Sequence, residues 1–585
     1  EGGMFMKHKK LLCAGVASMA LLMTGCNTYV DSLTPIKPLD NTCSYQFTSL
    51  SGLGKSNYKR VDSSKMRTSL RDVFLSGQYL INCPTTGNVN VLVLPIDFSM
   101  GGSNNQFYSG ASTKYYDDYT STSTYVGGDT ANQKLENIKK AFAGSKEDGD
   151  SELYFYSLSE FYKKSSQGKL NLDAWVAPWY KYDMTPVDFN QDDSLLYSLE
   201  EDGEVVTVQS SKQWGVLDAA VEAAKKAYNE QRKKGDPTFA QKFDSDHDGY
   251  IDACYMVPSA PIDQDEFWAF TFWKYCDGNY IGNANGNKKD PKPHVYVWAS
   301  YDFMLDYGES HELDTHTYIH EFGHMLGLED YYSYDSGKSG TLGFCDMMDN
   351  NIGDHNPYSK TVMGWTKPYV VTGDCTIKLK PYQTSNECII LPRSGSWNGT
   401  AFDEYIMLQY YTPTGLYKID AENSLFSEMN STNSSLTMPS QSGVWAYHVD
   451  SRLIKESWLE ETQEWSIRGY SDYCYADKSG QVSFSLGNSN TYSRGVVQGN
   501  YLISSIASDK KDKNASINFF QRNGTFTGDS LFSLNGGKSS ATFGFNNYKQ
   551  FDLNERYTLD YAFEITEMDE NGVTIVFDKG VQVGK

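Results

Sequence analysis

The apolar and polar positions divide the chain into a first part of mixed periodicity and a second part of short alternating runs. In the first part, residues 89–94 and 96–98 are almost continuously apolar, which predicts a buried strand. Helical and strand periodicities then alternate, with predicted helices at 151–164 and 214–231 and predicted strands at 170–176, 254–257 and 294–299. This order predicts a twisted sheet backed by two long helices, followed by a further helix near residue 320.

Beyond residue 367 the pattern changes to short strands separated by polar turns. The predicted strands lie at 376–379, 388–391, 404–410, 444–449, 482–486 and 573–577. We therefore predict an α+β chain in which a mixed domain precedes an all-β region of sandwich type. The predicted boundaries are 27–88 for a tether or pro-segment, 89–367 for the mixed domain, 368–450 for a first β segment, and 451–585 for a C-terminal β-rich domain.

The most informative stretch reads T-Y-I-H-E-F-G-H-M-L-G-L-E-D-Y-Y and contains the pattern H-E-x-x-H-x-x-G-x-x-D. On a helix, His320 and His324 project from one face because they are four residues apart, and this suits two ligands of one tetrahedral zinc ion. Glu321 stands beside the first histidine, where its carboxylate can take a proton from a water on the metal. Gly327 can end the helix in a left-handed turn, after which Asp330 can offer an oxygen as third protein ligand. A fourth position left for water is typical of a catalytic zinc site.

The zinc motif and the other histidines near it allow further interpretations. The core pattern H-E-x-x-H also arises by chance in unrelated helices. Upstream, His311 and His316 are five residues apart and do not share a helix face. His316 does share a face with His320, and we interpret it as helix surface or as support for the ligands. His355 is another candidate nitrogen ligand, ranked below Asp330.

A second motif, F-D-S-D-H-D-G-Y-I-D, places carboxylates at alternate positions before a glycine. This spacing matches a calcium loop that uses side chains at positions 1, 3, 5 and 9 and a carbonyl at position 7. The predicted calcium ligands are Asp244, Asp246, Asp248, Tyr250 (through its carbonyl) and Asp252. Tyr255 stands where an EF-hand has its final glutamate, so we expect an isolated structural calcium loop. The simpler alternative is an acidic, solvated turn.

A methionine pair follows the zinc motif in the sequence G-F-C-D-M-M-D-N. A methionine in a tight turn at this distance resembles the Met-turn beneath the metal in metzincins. Met348 is the predicted Met-turn residue in preference to Met347, and a methionine that only packs in the core is the alternative.

The N-terminal residues predict export. Three lysines precede an apolar run from 11 to 23, which is too short to span a bilayer and is typical of a signal peptide. The run ends in M-T-G-C, which resembles a bacterial lipobox and predicts that Cys26 is lipidated; an ordinary secretory signal is the alternative. The net charge of −23 argues against binding to nucleic acid. Of the remaining cysteines, Cys375 and Cys388 are the favoured disulfide pair, and Cys43 or Cys83 could cap the zinc as an inhibitory thiolate.

These motifs together resemble the immune inhibitor A family of secreted bacterial metallopeptidases, from about residue 89 to residue 450. The zinc motif carries most of the resemblance, with Glu329 where the family often has proline. Further blocks agree in order: S-L-S-E-F-Y at 157–162, the acidic loop, D-M-M at 346–348, and G-V-W-A-Y-H-V-D at 443–450. The resemblance implies a metzincin-like catalytic fold, zinc ligation by Asp330, calcium binding, and cleavage of host or environmental proteins.

The sequence therefore predicts a surface-anchored zinc endopeptidase whose catalytic domain is 89–367 and whose general base is Glu321. Its expected partners are protein or peptide substrates, with host or mucin-like glycoproteins among the candidates, and the bacterial membrane through Cys26. For the oxyanion, Tyr358 is a weak candidate. The predicted sheet edge for an extended substrate is the strand at 294–299. The alternative is a non-catalytic surface adhesin or glycan-binding lipoprotein that retains the shell of a zinc peptidase.

Overall fold

The structure is a computed structural model of the 585-residue chain. It describes residues 44–45, 51–76, 83–98, 131–146, 153–201, 204–208, 211–260, 267–274, 287–304, 312–332, 341–392, 397–423, 437–459, 464–470, 482–483, 502–508, 518–519, 528–534, 539–544, 560–579 and 582–583. The predicted signal peptide, Cys26, Cys43 and His311 lie outside these residues. The chain divides into two compact units. The first unit takes its described residues from Tyr79–Lys164 and Gly168–Gly327, and the second from Cys26–Gln78, Ser165–Gln167 and Leu328–Lys585.

The strands of the described chain are numbered in sequence order. They are β1 (Ser44–Tyr45), β2 (Ser56–Arg60), β3 (Gly87–Phe98), β4 (Leu170–Val176), β5 (Tyr180–Tyr182), β6 (Tyr197–Glu201), β7 (Glu204–Val208), β8 (Ala253–Pro258), β9 (Phe270–Trp273), β10 (Val295–Trp298), β11 (Tyr369–Leu379), β12 (Cys388–Pro392), β13 (Glu404–Tyr411), β14 (Gly443–Asp450), β15 (Ile454–Leu459), β16 (Glu464–Tyr470), β17 (Val482–Ser483), β18 (Ile503–Ala507), β19 (Asn518–Phe519), β20 (Ser540–Gly544), β21 (Asp560–Asp569), β22 (Gly572–Lys579) and β23 (Gln582–Val583).

The α-helices are numbered in the same way. They are α1 (Leu70–Ser76), α2 (Ala131–Ala143), α3 (Leu158–Ser165), α4 (Pro186–Gln191), α5 (Gln213–Gln231), α6 (Phe239–Phe243), α7 (His316–Met325), α8 (Met347–Asn350), α9 (Pro357–Val362), α10 (Tyr382–Ser385) and α11 (Lys418–Glu422). Within the described part of the chain, none of these helices combines the length and the apolar character that crossing a membrane requires. The mixture of helices and sheets confirms the α+β prediction.

A six-stranded sheet forms the centre of the first unit. Its strand order is β4-β3-β8-β10-β9, with β5 also paired to β3. Strands β4, β3, β8 and β10 run parallel, and β9 runs antiparallel to β10. The continuous apolar run of β3 is buried from Val91 to Phe98, as expected for a central parallel strand covered on both faces. Helix α5 packs its Trp214, Leu217 and Ala224 stripe into the same core as β8 and β10.

The position of the sheet edge corrects one expectation. Strand β10, predicted at 294–299 as the substrate-binding edge, lies between β8 and β9. In the described sheet the edge beside β10 is β9, whose four residues pair antiparallel with it from Phe270↔Trp298 to Trp273↔Val295. This short strand escaped the sequence prediction because four aromatic and β-branched residues give too few alternations for a periodic signal.

A ten-stranded sheet dominates the second unit. Its order is β19-β18-β14-β13-β12-β11-β22-β21-β20, with β2 also paired to β11. All of these neighbours run antiparallel except β11 and β12. Strand β14 pairs with β18, so the sheet continues across the predicted boundary at residue 450. The last segment of the second unit begins at Leu328, before the predicted boundary at 367.

Residues 51–66 are part of this second unit, although the sequence predicted a tether or pro-segment for 27–88. Strand β2 pairs antiparallel with β11, and the Gly52 N–H donates to Asp578 Oδ1 at 2.6 Å. Ser63 exchanges hydrogen bonds with Thr366, donating to its carbonyl at 2.8 Å and accepting from its N–H at 3.0 Å. These residues therefore form a structural strap, which we name the N-terminal strap. Its backbone is bonded within the sheet at β2, and the tether or pro-segment assignment of 27–88 as a whole stays a prediction.

The favoured disulfide is also wrong, since Cys375 and Cys388 are both free, buried thiols. Strands β11 and β12 pair at Tyr369↔Ile389 and Val370↔Ile390. Cys375 lies beyond this paired stretch on β11, whereas Cys388 lies just before it on β12. Burial raises the pKa of each thiol to about 12. Both cysteines therefore act as small apolar core residues.

Candidate active site

Helix α7 carries the first two predicted zinc ligands and the predicted base. It begins at His316 and ends at Met325. Gly327 follows with φ at 95°, and its N–H donates to the His324 carbonyl at 2.8 Å. A residue with a Cβ rarely adopts this backbone conformation, so glycine allows the chain to reverse directly after the helix. Asp330 follows this reversal.

The structure brings His320, His324 and Asp330 together. One ligand atom from each lies within 4.8 Å of the others. The two Nε2 atoms are 3.2 Å apart. Two ligands of a tetrahedral zinc ion with Zn–N distances of about 2.0–2.1 Å are separated by roughly 3.3–3.4 Å, so the spacing fits a shared ion. Two imidazole nitrogens and a carboxylate are a donor set that zinc accepts in catalytic sites, and the residues therefore fit this metal.

Glu321 is buried next to this group, with only 6% of its surface exposed. Thr271 on β9 reaches it from the neighbouring sheet. The Thr271 Oγ1 atom lies 2.8 Å from Glu321 Oε2 and 2.8 Å from the Glu321 carbonyl oxygen. A side chain of the edge strand therefore contacts both the main chain and the carboxylate of the predicted base.

Other hydroxyl groups also bind carbonyls of α7. Tyr255 on β8 donates to the Tyr318 carbonyl at 2.6 Å, and Tyr162 on α3 donates to the Ile319 carbonyl at 2.7 Å. Burial raises the pKa of Tyr255 well above its usual range, so its hydroxyl stays protonated as a donor. The helix is thus fixed to the sheet and to α3 immediately before the histidine-glutamate pair.

The other candidate zinc ligands lie outside the group. His316 is fully buried, stacked on Phe155 with ring centroids 3.9 Å apart, and its Nδ1 lies 2.6 Å from Asp314 Oδ1. Its prediction as helix surface is therefore wrong, because the aromatic stack and the aspartate hold it inside. Burial raises the pKa of Asp314, but the charge and hydrogen bond of His316 more than offset this, so the net pKa is lowered. Among the described residues, neither His355 nor Cys83 joins the three ligand candidates.

Met348 contacts the end of the zinc motif through its main chain. Helix α8 begins at Met347, and Asp346 caps it by accepting from the Met348 N–H at 2.9 Å. The Met348 carbonyl accepts from the Tyr331 N–H at 2.8 Å, and the methionine side chain is fully buried. This contact with the residue after Asp330 is compatible with a Met-turn. Tyr358 is buried and packs on Tyr331, with ring centroids 6.5 Å apart.

The predicted calcium loop brings together three of its four carboxylates. Oxygens of Asp244, Asp246 and Asp252 lie within 4.8 Å of one another. Asp248 is not in this group, and its Oδ1 accepts from the Tyr250 N–H at 2.9 Å. Ligation by Asp248 and by the Tyr250 carbonyl stays a prediction. The turn itself depends on Gly249, whose φ is 93°.

Two carboxylate oxygens of this loop point to a cation. The Oδ1 atoms of Asp244 and Asp252 are buried and have no hydrogen-bond partner, although both residues are fully enclosed. Burial raises the pKa of Asp244, and burial together with the charge of Asp246 raises that of Asp252 to about 7. A divalent ion would neutralise these oxygens at a typical Ca–O distance of about 2.3–2.6 Å. The oxygen-only donor set therefore fits calcium.

The sequence prediction missed Thr271 and the hydroxyl groups of Tyr255 and Tyr162. The only sequence signal for Thr271 was a polar residue between aromatic ones in F-T-F-W. The two tyrosines were indistinguishable from ordinary core aromatics, because their partners are helix carbonyls distant in sequence.

Comparisons with known proteins add no assignment to this geometry. The chain matches no protein-family model, and no curated protein matches it.

Proposed function

We propose that the chain is a zinc-dependent endopeptidase with a metzincin-like catalytic domain followed by a β region of sandwich type. The observation that carries this proposal is the convergence of His320, His324 and Asp330, whose ligand atoms lie within 4.8 Å of one another, beside the buried Glu321. The resemblance of the motifs to the immune inhibitor A family supports the same conclusion.

The two histidines and Asp330 would hold the metal as three protein ligands, the number that is typical of catalytic zinc sites with a water in the fourth position. Zinc in such a site lowers the pKa of water from 15.7 to about 7 and polarises a carbonyl group. Glu321 acts as the general base: its carboxylate takes a proton from the attacking water and delivers it to the departing amine. Glu321 directly follows the metal ligand His320 on α7. The Tyr255 and Tyr162 hydroxyls bind the helix carbonyls just before these two residues, so they hold the part of α7 that carries the base.

The substrate binds in extended form along β9, in place of the strand first expected. In the described sheet β9 pairs only with β10, so its other edge is available for a peptide backbone. Thr271 extends from this strand to Glu321, which brings a peptide on β9 near the base. Calcium in the Asp244–Asp252 loop stabilises the turn before β8. Lipidation of Cys26 at the bacterial surface completes the proposal and gives access to host or mucin-like glycoproteins.

The test is a comparison of residues 27–585 with a Glu321→Gln variant. We expect wild-type protein to contain about one zinc per chain and to cleave casein, and the variant to keep the zinc while losing at least about 10²-fold in kcat. Glu329→Gln is a matched control, because it removes the same charge from the same segment outside the proposed site. His320→Ala should lose both zinc and cleavage.

Equal cleavage by wild type and Glu321→Gln would refute the mechanism. Zinc binding without cleavage, before and after limited proteolysis to release any inhibitory segment, would favour the surface adhesin or glycan binder. Wild-type protein that fails to bind zinc would refute the metal site itself.

A further inference from the structure

The Thr271 hydroxyl lies between the main-chain carbonyl and the side-chain carboxylate of Glu321. Its Oγ1 lies 2.8 Å from both the carbonyl oxygen and the Oε2 of Glu321. A hydroxyl carries one proton and two lone pairs, so it donates to one of these oxygens at a time. When the hydroxyl donates to Oε2, it holds the carboxylate beside β9.

Both partners of this contact are anchored independently. Thr271 is the second residue of β9 and pairs with Val297 of β10. Its β-branched side chain has few χ1 options on a strand, so the hydroxyl direction is fixed by the backbone. On the other side, the Tyr255 and Tyr162 hydroxyls bind the α7 carbonyls just before Glu321. The hydroxyl thus has a defined place relative to the carboxylate.

A glutamate side chain has three torsions, and a hydrogen bond to one carboxylate oxygen restricts the positions that the carboxylate can take. Base catalysis requires the carboxylate within hydrogen-bond reach of the proton that it removes. Because misplacement of a reacting group by about 1 Å can cost 10²-fold in rate, a fixed contact on one carboxylate oxygen has a large effect on turnover.

We propose that Thr271 is a positioning residue that holds the Glu321 carboxylate in its working orientation through Oε2, and that Oε1 is the oxygen that exchanges the proton. This inference rests on the proposed peptidase function. Thr271 belongs to the strand proposed to bind the substrate backbone, so one element places both the peptide and the base. Its hydroxyl acts on the base alone, while the strand backbone serves the peptide.

The experiment compares Thr271→Val, which keeps the branched shape without a hydroxyl, with Thr271→Ser, which keeps the hydroxyl without the methyl group. We expect Thr271→Val to lower kcat about 10- to 100-fold with KM changed less than about twofold. Thr271→Ser should retain kcat within about threefold of wild type. Tyr228→Phe serves as the comparison, since it removes a hydroxyl that donates to the Pro237 carbonyl, outside α7, and it should leave kcat unchanged.

A second readout does not depend on turnover. Cobalt accepts the same nitrogen and oxygen ligands as zinc, and its visible absorption reports the surroundings of its open position. In cobalt-loaded protein, Thr271→Val should shift the spectrum in the direction produced by Glu321→Gln, whereas Thr271→Ser should resemble wild type.

Three results would overturn the proposal: full kcat in Thr271→Val, equal loss in the Val and Ser variants, or a loss of kcat that is matched by a loss of bound zinc. Its failure is separable from that of the peptidase function. If wild-type protein binds cobalt but cleaves nothing, the peptidase function fails. The spectra then decide on Thr271, since an unchanged Thr271→Val spectrum rejects the positioning role.

Discussion

We expect a substitution in the acidic loop to change the free energy of unfolding, in a direction that depends on whether calcium is bound. The perturbation is Asp252→Asn, which removes one charge from three carboxylates whose oxygens lie within 4.8 Å of one another. Asparagine keeps the shape of the side chain and an oxygen that can accept from the Ser245 N–H, which now donates to Asp252 Oδ2 at 2.9 Å. The loop geometry should therefore survive the substitution.

The magnitude follows from the pKa of Asp252 in the chain without calcium. Burial first, and then the charges of Asp246 and Asp248, raise this pKa from 3.8 to about 7, against the hydrogen bonds from Ser245. Because the folded-state pKa lies above the ordinary value, ionisation of Asp252 destabilises the fold as the pH rises from about 4 to about 7. The full cost, present above about pH 7, is on the order of 4 kcal/mol.

The assay is thermal unfolding of wild type and variant in EGTA and in excess calcium, at about pH 8 and about pH 5. In EGTA at pH 8, we expect Asp252→Asn to be more stable than wild type by about 1–4 kcal/mol, and we expect the difference to shrink at pH 5. In calcium the order should reverse, because the variant loses a ligand and with it the stabilisation by bound ion.

The matched control is Asp248→Asn, a carboxylate of the same loop outside the three-residue group. It should change the stability in EGTA less than Asp252→Asn does, because its charge is a smaller cause of the raised pKa of Asp252 than burial is. A calcium-free Asp252→Asn protein less stable than calcium-free wild type at pH 8 would contradict the reasoning.

Three further predictions concern packing and ligation. Gly52→Ala should lower the free energy of unfolding by at least about 2 kcal/mol in denaturant titration, because a Cβ there would lie 2.1 Å from a carbonyl oxygen of β22. Gly215→Ala is the control and should be neutral or stabilising, because the space around its Cβ is open. Equal effects of the two substitutions would contradict the steric argument. Lys360→Met should lower the free energy of unfolding by about 3–5 kcal/mol, because the buried Asp354 carboxylate, 2.6 Å from the lysine Nζ, would lose its counter-ion. Adding Asp354→Asn should recover most of this loss. No recovery in the double variant would rule out the charge explanation. Asp330→Asn should weaken zinc binding at least about tenfold in chelator competition while leaving the circular dichroism unchanged, and wild-type affinity would remove Asp330 from the ligand set.

The parts of the site that the sequence predicted are those within one helix and its following turn. The spacing of His320 and His324 specifies a common helix face, and Gly327 and Asp330 follow within seven residues, so local geometry decides their positions. Strand β4 and helix α5 were also predicted closely, because each shows a full period of apolar positions. Helix α2 was missed because only a few of its residues, such as Ile138 and Phe142, are fully buried.

The rest of the fold depends on pairing between distant segments. Ser63 and Thr366 are 303 positions apart along the chain, and no local sequence pattern predicts their hydrogen bonds. The same holds for Thr271 and Glu321, which are 50 positions apart. The order of the strands within each sheet could not be predicted either, because the periodicity of the sequence identifies strands but not the strands that they pair with.

The N-terminal strap has a consequence for how the chain is made. Strand β2 leaves the ribosome more than 300 residues before its partner β11, and most segments of the first unit emerge between them. The first unit can therefore begin to fold while the second is still incomplete, and the ten-stranded sheet can close only after β22 at the far end has arrived to pair with β11. Until β11 has emerged the strap is an unpaired strand, so its capture waits until more than half of the chain has been synthesised. A chain built in this order completes its ten-stranded sheet only after all the strands that pair in that sheet have been synthesised.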